Sequence, residues 1–377
     1  MSKEDLLLKN INGDKPFPIC FDDLEKAVAE KIPVGPYGYV RSGAGGEQSL
    51  RNNRNAFAKY SIVPRFLTDV SNPDTSIELF GKKHPTPFLF APVGMNKMAH
   101  EDGELAVVRA AEKLDMPYIQ STVSSYALEE VAEAAPNHTK WFQLYWSTNE
   151  EIAYSMASRA EKAGFEAIVL TVDTVMLGWR EEDVRNQFSP LKLGLARGNY
   201  VNDPIFTSTL KDDSFEAYVE GVLANIFHPT LNWDNVRELK RRTNIPVLIK
   251  GILHPEDARL AVEAGVDGII VSNHGGRQLD GVIGSLDALP SIAEVVKDRV
   301  PVLLDGGVYR GIDVLKALAL GATAVCVGRP FVYGLAYDGE HGVYQVMQNL
   351  YSEFKVSMSL SGQRTIAGLR DITLVRE

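Results

Sequence analysis

Short runs of apolar, often β-branched residues recur through the middle of the chain and alternate with segments of helical periodicity. The runs are Phe88 to Val93, Tyr118 to Ser121, Trp141 to Tyr145 and Ala167 to Val172, then Pro246 to Lys250, Gly268 to Ser272, Pro301 to Leu304 and Ala324 to Val327. Each is short for a helix and apolar at successive positions, the pattern of a strand buried on both faces of a parallel sheet. Between them, Gly103 to Leu114, Glu150 to Ala163, Pro255 to Ala264 and Gly311 to Leu320 place apolar residues at helical spacing. Pro255 suits the first turn of its helix, and Gly164, Gly265 and Gly321 suit helix ends. Eight strand–helix units over roughly 250 residues predict an α/β fold of the (β/α)8, or TIM-barrel, kind, closed so that no strand edge is left open. A doubly wound open sheet is the alternative, but it usually has fewer strands.

Three stretches fall outside this rhythm. Residues 1–85 read as an N-terminal segment, with one helix over Phe21 to Lys31 whose first turn carries Asp22 and Asp23, where carboxylates suit the helix dipole. The glycines of P-Y-G-Y-V-R-S-G-A-G-G-E (36–47) follow no strand and lack G-x-G-x-x-G spacing, so a dinucleotide loop is rejected. Between Thr174 and Asn232 lies a long connection rich in Asp, Asn, Pro and Phe without sustained period, the mark of a functional lid at about 175–232. Residues 334–377 read as closing helices, Gly342 to Leu360 being the clearest. The organisation expected is one domain over 1–377, with the barrel spanning 86–333.

A chain of 377 residues that is 45% hydrophobic can bury a core of that size. The net charge of −10 speaks against a nucleic-acid or anionic-membrane partner, since both require a basic face. Cys20 and Cys326 form neither a disulfide framework nor a metal-ligand spacing, which fits a reducing cytoplasm. The opening M-S-K-E-D-L-L-L-K-N lacks the apolar core of a signal peptide, and no run approaches the ~20 apolar residues of a membrane span.

The chemistry is concentrated where the strands end. The first run delivers Pro92, Val93 and Gly94, the second Ser121, the third Gln143 and Tyr145, and the fourth Thr171 and Asp173. Lys250 ends the fifth, and Ser272, His274 and Arg277 follow the sixth. The seventh gives Asp305, Gly306 and Gly307, and the eighth Gly328 and Arg329. Singly, each has a plain explanation: a surface lysine, a polar strand residue, a cap, a turn with a structural histidine. Agreement among all eight strands is better explained by a site at the C-terminal face of the barrel. Glycine-rich turns after strands seven and eight form the common phosphate site of such barrels, and with Lys, Gln, Thr and Ser nearby they suit flavin mononucleotide (FMN). Lys250 would stabilise negative charge on a reduced flavin. Arg277 and the lid's Arg180 could clamp a carboxylate, while His274 acts as a neutral base fixed by Asp173.

S-N-H-G-G-R-Q-L-D-G (272–281) closely resembles the signature of the FMN-dependent L-2-hydroxy acid oxidising family, and the resemblance extends over nearly the whole chain. Y-G-Y-V-R-S-G-A (37–44) matches the segment whose second tyrosine, Tyr39, binds the substrate carboxylate. F-Q-L-Y (142–145) supplies Gln143 for FMN and Tyr145 for substrate; L-T-V-D-T (170–174) supplies Thr171 for FMN and Asp173 as partner of the base. L-G-W-R-E (177–181) places Arg180 on the lid. The resemblance implies that Lys250 and Ser272 touch FMN, that His274 is the base, and that Arg277 binds the carboxylate. It further implies that 305–309 and 328–329 hold the FMN phosphate. A-P-V-G (91–94) departs from the family's A-P-x-A, and Gly94 and the aliphatic Val123 match lactate 2-monooxygenase. So do the lid segments N-Y-V-N-D-P-I-F (199–206) and L-N-W-D-N-V (231–236). Tyr309 replaces an arginine common near the phosphate, with Arg310 beside it.

The resemblance implies FMN-dependent oxidation of L-lactate or a similar small acid by O2, in the 2-monooxygenase form that yields acetate, carbon dioxide and water. On this expectation Gly94 leaves room beside the flavin. Lactate oxidation to pyruvate and hydrogen peroxide is the alternative, and a non-catalytic FMN-binding barrel the remote one. Family habit implies a homotetramer or octamer.

Overall fold

The computed structural model of the protein describes residues 17–377, so the stretch 1–10 read above for a signal peptide lies outside the described residues. Eight parallel strands close into a barrel: β1 (Phe88–Phe90), β2 (Tyr118–Ser121), β3 (Lys140–Tyr145), β4 (Ala167–Thr171), β5 (Val247–Ile252), β6 (Gly268–Val271), β7 (Val302–Asp305) and β8 (Ala324–Val327). Each pairs with its sequence neighbour, and β8 pairs with β1 to close the ring, as the sequence predicts. β1 is shorter than its apolar run. Ala91 N–H still donates to Val327 O at 2.8 Å, but Pro92 has no N–H to continue the ladder.

The two-residue period of a strand explains why the apolar runs serve two cores at once. Leu89, Ile119, Trp141, Val169, Leu248, Ile270, Leu303 and Cys326, one from each strand, fill the barrel interior, and all are buried. Ile77 and Leu79, from the hairpin Ile77–Leu79/Lys82–His84, pack on the same interior, with Phe80 against Trp141 at 5.5 Å between centroids. The alternate residues, Phe90, Phe142, Ile168, Ile249 and Val325 among them, face outward and pack under the helices. Burying each such side chain contributes about 1.5–3 kcal/mol. Two residues beyond the interior layer comes the next inward-facing level, and there the sequence turns polar: Ser121, Gln143, Thr171, Lys250, Ser272 and Asp305. Register brings them to one height, with Ser121 opposite Gln143 and Thr171 opposite Lys250.

Several elements escape the hydrophobic pattern. Val34–Arg41 and Gln48–Ala58 are helices, and Tyr60–Val63 pairs antiparallel with Thr373–Arg376 near the end of the chain. The lid is not without structure, holding short helices at Glu181–Arg185, Gly198–Val201 and Pro204–Thr207 and a longer one at Phe215–Asn225. The closing helix begins at Arg329 and runs to Leu360, broken at Asp338 and Gly339, where Gly339 has φ 52°. No helix among the described residues is long and apolar enough to cross a membrane.

Candidate active site

β6 ends at Val271, and the chain turns sharply through His274, Gly275 and Gly276, with φ of 59°, 63° and 76°. Left-handed backbone is costly for a histidine, so the turn is held from outside. His274 N–H donates to Ser272 Oγ at 3.0 Å, and Asn53 and Asn273 exchange reciprocal amide hydrogen bonds at 2.7 and 2.8 Å beneath the loop. The His274 ring is fixed by Asp173, whose Oδ1 lies 2.7 Å from Nδ1, and Thr174 Oγ1 donates to the same carboxylate oxygen at 2.8 Å. Nδ1–H therefore points at Asp173, and Nε2 faces Tyr145 OH at 3.4 Å on the cleft side.

Electrostatics set the protonation states. Burial opposes the charge on Asp173, but His274, Lys250 and two side-chain hydrogen bonds outweigh it and hold the carboxyl at about 2. Burial also lowers the His274 pKa, and Lys250 and Arg180 add to that effect against the pull of Asp173. The imidazole is thus neutral at pH 7 beside a full carboxylate. Gly251, with φ 110°, makes the approach possible, because a Cβ there would lie 2.7 Å from Asp173 Cβ.

Two guanidinium groups lie across from this pair. Arg277 Nη1 donates to the carbonyls of Tyr39 and Ser42 at 2.5 and 2.8 Å, while its Nη2 is buried without a partner. Burial, then the neighbouring Arg180, presses the Arg277 pKa down to about 10, so it remains a cation at neutral pH. Arg180 reaches Tyr39 OH through Nη1 at 3.3 Å and Gln278 Oε1 through Nη2 at 3.3 Å. Tyr145 OH is pushed up to about 12, first by burial and then by Asp173, so it stays protonated. A donor-rich corner with one unpaired N–H group suits a carboxylate.

Below and beside this corner lies a cleft of about 940 Å³, its mouth included, walled by Pro92, Val93 and Gly94 and ending at Gly306, Gly307 and Gly328. Lys250 Nζ, buried in its floor, donates to Ser272 Oγ and pairs with Asp305 Oδ2, each at 3.1 Å. Burial opposes its charge, but Asp305 and Asp173 more than compensate and raise its pKa. Gln143 Nε2 and Thr171 Oγ1 are buried beside it without hydrogen-bond partners. Orphaned polar groups of this kind are costly unless a ligand satisfies them. A cleft with a fixed cation, a glycine-rich end and orphaned polar groups at the neighbouring strand ends fits FMN.

Every residue singled out in the sequence lies at this face, but three readings change in detail. Arg329 spends three donors on backbone carbonyls, of Val40, Gly275 and Ser42, each at 2.9 Å, so it braces the N-terminal segment as well as lining the cleft. Gly94 does not simply leave room. A Cβ there would meet Val123 Cγ2 and Val123 O at 2.6 Å and Ser121 Oγ at 3.0 Å, so the glycine is required by the packing of β1 against the end of β2. Tyr309 stacks on Phe21 at 3.8 Å between ring centroids, and Arg310 pairs with Glu353 at 3.0 Å. The cation near that turn is Arg54, over the Tyr309 ring at 4.7 Å and paired with Asp313 at 2.7 Å.

Sequence reasoning passed over Gln278, although it lies within the quoted motif. Its Oε1 accepts from Gly178 N–H and Arg180 at 3.3 Å, and its Nε2 donates to Asp173 O and Met176 O at 3.0 and 2.9 Å. It latches the lid to the catalytic corner. Arg54 carried no signal, because its helix belongs to the segment outside the barrel rhythm.

A family model described as FMN-dependent dehydrogenase matches residues 28–376. The L-lactate oxidase of Lysinibacillus sphaericus (strain C3-41) is 76% identical over 372 residues, covering 99% of this chain and 96% of that protein. Human 2-hydroxyacid oxidase 1 is 42% identical, covering 96% of this chain and 97% of its own. Among solved structures, the crystal structure of mandelate oxidase superposes with a TM-score of 0.85 at 38% identity, over 95% of this chain and 98% of that one.

Proposed function

The chain belongs to the FMN-dependent dehydrogenase family, and from that premise we propose that it oxidises L-lactate with dioxygen to pyruvate and hydrogen peroxide, His274 being the base. It is an FMN-dependent L-2-hydroxy acid oxidoreductase. FMN, when bound, accepts two electrons from the substrate and yields them to dioxygen. The observation that carries the proposal is a neutral His274 held by an ionised Asp173 and facing a donor corner with an unpaired Arg277 Nη2.

The roles follow from where each side chain stands. Arg277, Arg180 and Tyr39 bind the substrate carboxylate, which pairs with Arg277 Nη2 and offsets its buried charge. Tyr145 orients the hydroxyl. His274 Nε2 takes the proton that the substrate releases, and Asp173 stabilises the resulting imidazolium. Pro92, Val93, Gly94, Ser121, Gln143, Thr171, Lys250 and Ser272 contact FMN. Lys250, kept charged by Asp305, stabilises negative charge at its centre. Backbone N–H groups of the Asp305–Gly306–Gly307 turn and of Gly328, with the remaining donors of Arg329, would hold the phosphate end, while the Asp305 side chain is engaged by Lys250 and Ser272. The chain acts as one domain. Assembly into a homotetramer or octamer is proposed on the family resemblance alone.

Two observations favour peroxide as product: the name borne by the 76% identical relative, and the packing role of Gly94, which removes the case for spare room beside the flavin. The 2-monooxygenase outcome remains as a second reading, favoured by the latch of Gln278 on the lid. If pyruvate is retained, peroxide converts it to acetate, carbon dioxide and water. Incubation with L-lactate and oxygen separates them. The proposal expects about one peroxide and one pyruvate per lactate; acetate in their place selects the second reading, and no oxygen uptake defeats both.

A further inference from the structure

β2 ends at Ser121, and the next residue, Thr122, is buried with its N–H, its C=O and its hydroxyl all engaged. The hydroxyl donates to Gln143 O at 2.7 Å and accepts from the Tyr145 N–H at 2.9 Å. A hydroxyl that donates to one strand residue and accepts from another stands in for a backbone peptide group. β3 therefore stays paired as far as Tyr145, although its neighbour β2 has already ended.

Relieved of that pairing, the backbone of Thr122 serves other partners. Its N–H donates to Gln143 Oε1 at 3.2 Å, and Ser121 Oγ donates to the same oxygen at 3.1 Å. A backbone N–H can only donate, so the Gln143 amide must present its oxygen here. The Nε2 group is thereby turned away from Thr122, buried and without a partner in the protein. On the lid side, Asn199 Nδ2 donates to the carbonyls of Thr122 and Ser121 at 2.9 and 3.0 Å. Asn199 is itself buried, and its C=O accepts from Arg159 at 2.7 Å, so the turn at Thr122 is fixed from both sides.

We propose that Thr122 is a positioning residue whose hydroxyl sets two groups at once, the Gln143 amide for FMN and the Tyr145 hydroxyl for the substrate. The inference rests on the functional reading above for what those two residues touch, and Thr122 acts through them. Without the hydroxyl, Gln143 O and the Tyr145 N–H lose their partner in a buried place, where an unmade hydrogen bond is costly. The end of β3 then shifts to recover one, and it carries both side chains out of position.

The test compares Thr122→Val, which keeps the shape of the side chain and loses its hydroxyl, with Thr122→Ser, which keeps the hydroxyl and loses a methyl group. Three quantities are read on the holoprotein: FMN release on dilution, by flavin fluorescence; the Kd of pyruvate, by the change in the visible flavin spectrum; and anaerobic flavin reduction by L-lactate. Thr122→Val should release FMN about tenfold faster and bind pyruvate about tenfold more weakly, the worth of about one hydrogen bond to each. Reduction should slow by about tenfold or more through misplaced reactants. Thr122→Ser should stay within about threefold of the parent in all three. A packing role alone gives the opposite order, because the methyl group would then matter and the hydroxyl would not. Thr122→Ser as impaired as Thr122→Val, or Thr122→Val at the parent's values, overturns the proposal. Should Thr122→Val fail to fold, Thr122→Cys takes its place, since a thiol fills a similar volume and hydrogen-bonds weakly. It should show the same losses to a smaller extent, and parent values there overturn the proposal as well. A parent protein that neither holds FMN nor oxidises L-lactate defeats the functional reading itself, and the role of Thr122 falls with it.

Discussion

Replacing Asp173 by Asn tests the electrostatic core of the site with almost no change in shape. Asp173 Oδ1 accepts from His274 Nδ1 at 2.7 Å and from Thr174 Oγ1 at 2.8 Å, and the amide oxygen of Asn can still accept both. What disappears is the negative charge. Two unit charges about 4 Å apart in an effective dielectric of about 20 attract by about 4 kcal/mol. If that attraction is fully expressed when His274 becomes imidazolium, its loss slows proton transfer by about a thousandfold. Incomplete expression puts the expected loss in flavin reduction by L-lactate at about a hundred- to a thousandfold, with FMN still bound. The direction of the pH profile gives a second check. Asp173 raises the His274 pKa against burial, Lys250 and Arg180. Its removal lowers that pKa further, and the active form is neutral imidazole, so the acid limb of kcat/KM moves to lower pH. Stopped-flow reduction under anaerobic conditions measures the rate and steady-state assays the limb. A rate within about threefold of the parent, or a limb moved to higher pH, would refute the pairing as the source of the base's strength.

Gly94→Ala should cost about 1–3 kcal/mol of stability, since the methyl must displace Val123, whose carbonyl accepts Met95 N–H at 2.9 Å. An unchanged melting temperature would show that the strand ends yield freely. Arg277→Lys should raise KM for L-lactate about tenfold or more by losing the planar fork, and an unchanged KM would remove Arg277 from carboxylate binding. Acid stability should depend on His138, which burial holds down at about 4 and which contacts Met116 O at 2.9 Å. Its folded pKa lies below the unfolded value, so its contribution is complete above about pH 6.5 and erodes as pH falls toward 4, amounting to about 3 kcal/mol. Denaturant melts from pH 7 to 4 should flatten in His138→Gln; an equally steep loss would place the acid sensitivity elsewhere.

The barrel and the polar layer at its mouth were legible because both obey one local rule, the two-residue period of a strand. Val169, Thr171 and Asp173 face the same way, as do Ile270 and Ser272, so an apolar interior leads directly to reactive groups. What stayed hidden depends on contacts distant in sequence. Val34–Arg41 contains Gly35, Pro36 and Gly38, poor helix formers alone, yet a Cβ on Gly35 would strike the Phe188 ring at 2.7 Å, so the small residue lets the lid pack on that helix. Tyr60–Val63 meets Thr373–Arg376 across nearly the whole chain, a pairing that no periodicity records. Arg329 was legible as a cleft residue because it follows a strand, but only the folded chain shows Val40, Gly275 and Ser42 accepting three of its N–H groups, which leaves it donors for a phosphate.

The measurement closest to the central claim is anaerobic reduction of the bound flavin by L-lactate in His274→Ala, set against the parent protein. In the parent, L-lactate should bleach the visible absorbance rapidly. The variant should retain FMN at full occupancy, because His274 stands at the substrate side, but bleach about a thousandfold or more slowly. Bleaching of His274→Ala at the parent's rate would contradict the claim that this side chain is the base.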